Sequence, residues 1–148
     1  MNFDIVFVAN DKYLKFTAVL MTSIIKSTQE KGALNQSFHF HIISDFISEK
    51  NLKKLDKLKA KLNELYPCEL SSYIVKDDFS KFRNYGEMLT HIIYLKLKIA
   101  SVLPSHIKTC LYLDTDMLCV GDIRKLFELN LEDKILACVY WITKSLIR

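Results

Sequence analysis

Short apolar segments alternate with segments of helical periodicity along this 148-residue chain, and that alternation constrains the fold more than any other feature. Apolar, β-branched runs predict strands at residues 3–9, 37–43, 69–75, 108–113 and 134–140, with residues 117–120 also extended. Apolar residues at helical spacing predict helices at 13–28, 49–65, 91–102 and 123–128. Strands joined through helices run parallel. The pattern therefore predicts an α/β fold with a mainly parallel sheet.

Size and charge narrow the class of protein further. A chain of this length is typical of one domain, so we expect residues 1–148 to form a single domain. The net charge is +4, carried mostly by lysine, which is too mild and too poor in arginine to indicate a nucleic-acid binder. The N-terminus lacks the basic start of a signal peptide and no apolar run is long enough to span a membrane, which predicts a cytoplasmic protein.

Two carboxylates follow one of the predicted strands. Asp114 and Asp116 stand in the sequence CLYLDTDMLCV, and residues two apart on an extended chain point to the same side. With three glycines in the chain, no glycine-rich loop can hold phosphates. A hard cation bound by both carboxylates could bridge phosphate oxygens instead, and ligands of open α/β sheets bind at strand ends. A turn or cap role for the pair is the alternative.

Several other polar features have plain structural interpretations. Ser48 is positioned to cap the helix over 49–65, whose lysines predict a solvated face, with a membrane-surface face as the minority alternative. His39 and His41 alternate with Phe38 and Phe40 and should lie on the opposite face of their strand. The four cysteines lack CxxC spacing, which favours buried, reduced thiols.

Four stretches in order give the chain a family resemblance. They are DIVFVANDKYL at 4–14, FHFHIISDFISEKN at 38–51, YLKLKIASVLP at 94–104 and LYLDTDMLCVGDIRKLF at 111–127. Together they resemble the N-terminal half of a family 8 glycosyltransferase, the group that contains bacterial lipopolysaccharide galactosyl- and glucosyltransferases and the glycogenins. The resemblance implies a Rossmann-like GT-A fold, a UDP-hexose donor, Mn²⁺ or Mg²⁺, and transfer to a glycan or lipooligosaccharide acceptor with retention of configuration.

The resemblance also implies roles for particular residues. Asp114 would contact the donor ribose and the metal, and Asp116 would ligate the metal. Lys96 falls where the family usually has an arginine that holds the donor, and a lysine offers a point charge in place of a bidentate fork. The remaining residues that the resemblance assigns to the donor site are Ala9, Asn10, Tyr13 and Thr115. No catalytic nucleophile or base is identified.

Besides Lys96, the chain departs from the family pattern in three respects. Asn10 stands where an aspartate is common, and Tyr140 or Trp141 stands near a further family aspartate. The family's later half, with its HxxGxKxW-like element that completes the metal site, would lie beyond Arg148, so we expect an incomplete domain. A donor-binding fragment without activity is therefore one alternative. A haloacid-dehalogenase-like phosphatase is a weaker one, because Leu118 occupies the Thr/Val position of that motif.

Overall fold

A parallel sheet lies at the centre of the computed structural model, which describes residues 2–28, 35–76, 91–132 and 134–138. In these residues the sheet has four strands in the order β3-β2-β1-β4, and every pairing is parallel. The strands are β1 (Asn2–Val8), β2 (Ser37–Ser44), β3 (Cys68–Ile74) and β4 (Leu111–Tyr112). The predicted α/β class is therefore confirmed, and the first strand occupies an interior position.

Two long helices cover one face of the sheet. They are α1 (Leu14–Ser27) and α2 (Glu49–Leu65), and the Ser48 side chain caps α2 by accepting a hydrogen bond from Asn51 N at 3.3 Å, as predicted. The buried residues of this face come from alternate strand positions and from one stripe of each helix: Phe3, Ile5, Phe7, Phe38, Phe40, Ile42, Leu20, Met21, Ile24, Leu55 and Leu62. Burial of this apolar surface is the main stabilising contribution to the fold.

The opposite face is covered by residues 91–102. A 3-10 helix (His91–Lys98) leads into a short α3 (Ile99–Val102), and Ile92 and Leu95 pack on Val6 and Ile43. His39 and His41 lie on this face, as the alternation predicted, and His41 is fully buried. A second 3-10 helix (Ile123–Glu128) returns to the α1/α2 side.

Several predictions require correction. Residues 134–138 form no strand, and Ile135 is 100% exposed because no strand of the described residues pairs with this segment. The strand predicted at 108–113 is confined to Leu111–Tyr112, the part that pairs with β1. Cys138 is exposed, whereas Cys68 is buried as expected.

The helical spacing of the leucines predicts an apolar stripe along α2 from Leu52 to Leu65. The side chains at both ends of this stripe are exposed. Leu52 is 40% and Leu65 is 51% exposed, because only the central leucines face the sheet. The lysines of α2 lie mainly on its solvent side. Among the described residues, helices fall short of the length and hydrophobicity that a membrane span requires. The polar, irregular sequence of residues 76–90, which includes Gly86, predicts a long loop. Beyond Lys76 this stretch lies outside the described residues, as do Tyr140 and Trp141.

Candidate functional site

The tips of β1 and β4 lie side by side at the carboxyl edge of the sheet. The two strands are parallel neighbours with Val6 aligned to Tyr112, and Leu113 N donates to Val6 O at 3.1 Å. The residues that follow β1 and those that follow β4 therefore emerge at the same edge. This is the edge at which open α/β sheets bind ligands.

The acidic pair follows β4 and faces solvent. Asp114 and Asp116 are exposed, whereas Thr115 between them is only 8% exposed, so both carboxylates are open to solvent, and Thr115 and Asp116 lie in a turn. The Tyr112 hydroxyl donates to Asp114 Oδ1 at 2.7 Å. Burial, this hydrogen bond and the charges of both aspartates raise the pKa of Tyr112. The phenol therefore remains protonated and orients one of the two carboxylates.

Two serine hydroxyls of α1 hold the segment after the acidic pair. Cys119 N donates to Ser23 Oγ at 2.9 Å, and Ser27 Oγ donates to Cys119 O at 2.9 Å. The backbone N–H and C=O groups of Cys119 are therefore both bonded to α1. Because Cys119 comes three residues after Asp116, this clamp limits the directions that the acidic segment can take.

The turn between β1 and α1 is shaped by its own polar residues. Asn10 Oδ1 accepts hydrogen bonds from Lys12 N at 3.1 Å and Tyr13 N at 3.0 Å, which closes the turn before the helix. Asp11 Oδ1 accepts from Ser48 N at 2.8 Å. That bond ties the turn to the start of α2.

The carboxylate of Asp11 is stabilised in its charged form. The hydrogen bond from Ser48 N is the largest cause that lowers its pKa, with further contributions from Asn51 and Lys54, and partial desolvation opposes them. Asn51 Nδ2 also donates to Asp11 O at 3.0 Å. The β1 tip is therefore anchored by its side chains and its backbone together.

The other predicted site residues have different surroundings. Ala9 is 2% exposed, and its N–H donates to Ile43 O at 3.1 Å. Tyr13 is 41% exposed, with its ring centroid 5.5 Å from that of Phe16. Lys96 is exposed on the 3-10 helix that covers the other face of the sheet. The β1 tip and the acidic pair are brought to one edge, whereas Lys96 belongs to the 3-10 helix on the face of the sheet opposite α1 and α2.

The hydrogen bonds from Ser23 and Ser27 of α1 to Cys119 were not predicted from the sequence. Ser23 and Ser27 are four residues apart, so they lie on the same side of α1. Two hydroxyls at that spacing in a mostly apolar helix are a signal for a polar partner. The spacing could therefore have predicted that Ser23 and Ser27 bond to a polar group outside the helix. It could not have predicted that the group belongs to Cys119, which is 96 residues from Ser23.

Comparison with known protein families gives a consistent result. The sequence model of the family described as "Glycosyl transferase family 8" matches residues 4–146. A lipopolysaccharide 1,2-glucosyltransferase of Escherichia coli is 24% identical over 130 residues, which cover 88% of this chain and 36% of the relative. A lipopolysaccharide 1,3-galactosyltransferase of Salmonella typhimurium is 23% identical over 137 residues, 93% of this chain and 38% of the relative. The chain thus spans little more than a third of these relatives.

Solved structures agree on the fold. The galactosyltransferase LgtC, crystallised with donor and acceptor sugar analogues, matches with a TM-score of 0.68 at 24% identity over 86% of this chain and 43% of that one. Mouse xyloside xylosyltransferase 1 matches with a TM-score of 0.62 at 17% identity over 86% of this chain and 48% of that one. The described part of the chain therefore has the GT-A architecture, as the resemblance implied.

Proposed function

This chain belongs to glycosyl transferase family 8, and from that membership we propose that it binds a nucleotide-sugar donor and takes part in hexosyl transfer. The donor is a UDP-hexose and the acceptor a glycan or lipopolysaccharide. The relatives named above transfer glucose or galactose in lipopolysaccharide, which supports that acceptor class. Membership in this family leaves the phosphatase alternative without support.

The exposed acidic pair beside the β1 tip is the observation on which the proposal rests. Asp114 and Asp116 are two exposed carboxylates two residues apart, and carboxylate oxygens suit Mn²⁺ or Mg²⁺. These two residues would hold the cation. When bound, the cation would neutralise charge on the departing diphosphate as a Lewis acid.

The other residues of the site act through position. The turn closed by Asn10 and anchored by Asp11 would present the exposed Tyr13 ring to the uracil. Thr115, with its side chain turned inwards, would set the separation of the two carboxylates. Lys96 would approach the donor phosphates as a single positive charge. Rigid placement of this kind lowers the entropic cost of bringing donor and acceptor together.

Titration calorimetry with UDP and Mn²⁺ tests the metal site directly. We expect binding that requires the metal and that weakens at least tenfold in Asp114→Asn and in Asp116→Asn, because each change removes a charged ligand. Asp56→Asn is the matched control, since Asp56 is an exposed aspartate on α2. Absence of metal-dependent heat at millimolar UDP, or equal weakening in the control, would contradict the proposal.

A second assay separates binding from turnover. Release of UDP from UDP-glucose or UDP-galactose in the presence of Mn²⁺ would show that the 148 residues catalyse reaction of the donor. Binding of UDP without release would identify the chain as a donor-binding unit only. Loss of release in Asp114→Asn, with the fold unchanged by circular dichroism, would attribute the reaction to this site.

A further inference from the structure

A second cluster of metal-ligating side chains lies on the sheet face opposite α1 and α2. Asp4 Oδ1 is 2.9 Å from His41 Nε2 and 3.7 Å from His39 Nδ1. The three ligand atoms all lie within 4.8 Å of one another. Two imidazoles and one carboxylate thus converge on one point between β1 and β2.

Each histidine is oriented by a hydroxyl of β3. His39 Nε2 bonds with Ser71 Oγ at 2.8 Å, and His41 Nδ1 bonds with Tyr73 OH at 3.1 Å. The outer ring nitrogens are occupied in this way, so the inner ones face Asp4. Histidine ligands of metals commonly bond through their second nitrogen to such a partner, which holds the ring in place.

The separations fit the size of a tetrahedral transition-metal site. Ligand atoms about 2.0–2.1 Å from a tetrahedral cation are about 3.3–3.4 Å from one another. The distance from Asp4 Oδ1 to His41 Nε2, 2.9 Å, and the distance to His39 Nδ1, 3.7 Å, lie on either side of that value. Changes of about half an ångström in these two distances, together with closure of the separation between the two histidine nitrogens from at most 4.8 Å, would convert the hydrogen-bonded cluster into a ligand set.

The cluster has access from outside. A depression of about 440 Å³ is lined by Asn2, Asp4, His106, Ile107 and Lys108. Asp4 belongs to both the cluster and this depression, so a cation could enter there. The fourth ligand could then be water or His106, which lies on the wall of the depression.

This place is distinct from the strand-end acids. Val6 is aligned with Tyr112 in the parallel pair of β1 and β4, so Asp4 is level with Cys110. Asp114 lies four residues further along the chain, which on an extended chain is about 13 Å. The ligand types also differ, since imidazole suits Zn²⁺ and related metals and carboxylates alone suit Mn²⁺ or Mg²⁺. We propose that Asp4, His39 and His41 form a binding site for Zn²⁺ or a similar divalent cation that links β1 to β2.

Titration of the metal-free chain with Co²⁺ and Zn²⁺ tests this proposal. We expect one equivalent of Co²⁺ to bind with the visible absorption of tetrahedral coordination, and Zn²⁺ to displace it. His39→Gln and Asp4→Asn should each weaken binding about 10–100-fold. Asp56→Asn, at an exposed aspartate of α2 outside both proposed metal sites, is the control and should bind Co²⁺ as the wild type does.

Several results would overturn the assignment. Absence of Co²⁺ and Zn²⁺ binding at millimolar metal would do so, and so would equal affinity in His39→Gln. Loss of the signal in Asp116→Asn would place the ion at the strand-end acids. If the variants do not fold, ¹⁵N chemical shifts of the imidazoles in the wild type decide the matter, because Zn²⁺ must shift the ring nitrogens of His39 and His41, and unchanged shifts refute the site.

Discussion

Removal of the Ser23 hydroxyl is the sharpest test of how the acidic segment is held. In the structure Ser23 Oγ accepts the hydrogen bond from Cys119 N at 2.9 Å and donates to Leu20 O at 2.8 Å. Ser23→Ala leaves the Cys119 N–H without this partner. The variant therefore removes one of the two bonds that fasten the chain after Asp116 to α1.

The size of the effect follows from two opposing contributions. An unpaired, partly buried N–H costs about 1–3 kcal/mol, and we take about 1.5 kcal/mol because Cys119 is partly exposed. Alanine stabilises a helix by about 0.5 kcal/mol relative to serine. The expected net loss in the free energy of unfolding is therefore about 1 kcal/mol.

Thr22→Ala provides the matched control. Thr22 Oγ1 donates to Ala18 O at 2.7 Å within its own helix, as Ser23 does to Leu20. Unlike Thr22, Ser23 also accepts the hydrogen bond from Cys119 N. Its replacement should raise stability by about 0.5 kcal/mol through helix propensity. The two variants should thus differ by about 1.5 kcal/mol, or about 0.7 M in urea midpoint at a slope of about 2 kcal/mol/M.

Urea unfolding of both variants, followed by circular dichroism, measures this difference. A second readout is metal-dependent UDP binding, which should weaken in Ser23→Ala and remain unchanged in Thr22→Ala because only the first variant frees the acidic segment. Equal unfolding midpoints for the two variants would refute the argument that the Ser23 hydroxyl holds Cys119.

Two further predictions concern the anchors around the sheet. Asp11→Asn should cost about 1 kcal/mol at neutral pH, and because the folded pKa of Asp11 is below 3.8, the difference from wild type should disappear as the pH falls through that folded pKa. Unfolding curves at a series of pH values check this, and a difference independent of pH would contradict it. Arg124 Nη2 is 2.5 Å from Asp122 Oδ2 and Arg124 Nη1 donates to Gln36 Oε1 at 3.0 Å, so Arg124→Ala should cost about 2 kcal/mol. Arg124→Lys should lose less stability because it keeps the positive charge beside Asp122. Equal melting temperatures of the two variants would contradict a stabilising role for that charge.

The elements that were predicted correctly are those whose signals are local. The alternation of apolar and polar residues in β2 placed His39 and His41 opposite Phe38, and the position of Ser48 marked the start of α2. Both patterns arise from backbone periodicity and capping, which act within a few residues. The same-side placement of Asp114 and Asp116 stays a prediction, because Thr115 and Asp116 lie in a turn after β4 and not in an extended strand.

Elements that need a distant partner were predicted less well. Residues 134–138 are as apolar as β2, yet they form no strand, because strand formation requires a neighbour with unpaired backbone groups. The run KILACVY contains no information about whether such a neighbour exists. In the same way, the shortness of β4 depends on how much of it pairs with β1.

The amino-acid sequence alone therefore determined the layer architecture, the family and the pair of carboxylates at a strand end, since hydrophobic period and motif spacing are properties of neighbouring residues. Only the tertiary structure decided that β1 lies beside β4, that Ser23 meets Cys119, and that Asp4 meets His39 and His41. These contacts join residues that are from 35 positions apart, for Asp4 and His39, to 106 positions apart, for Ile5 and Leu111. They depend on strand order, which arises from the packing of the whole sheet and not from any local segment.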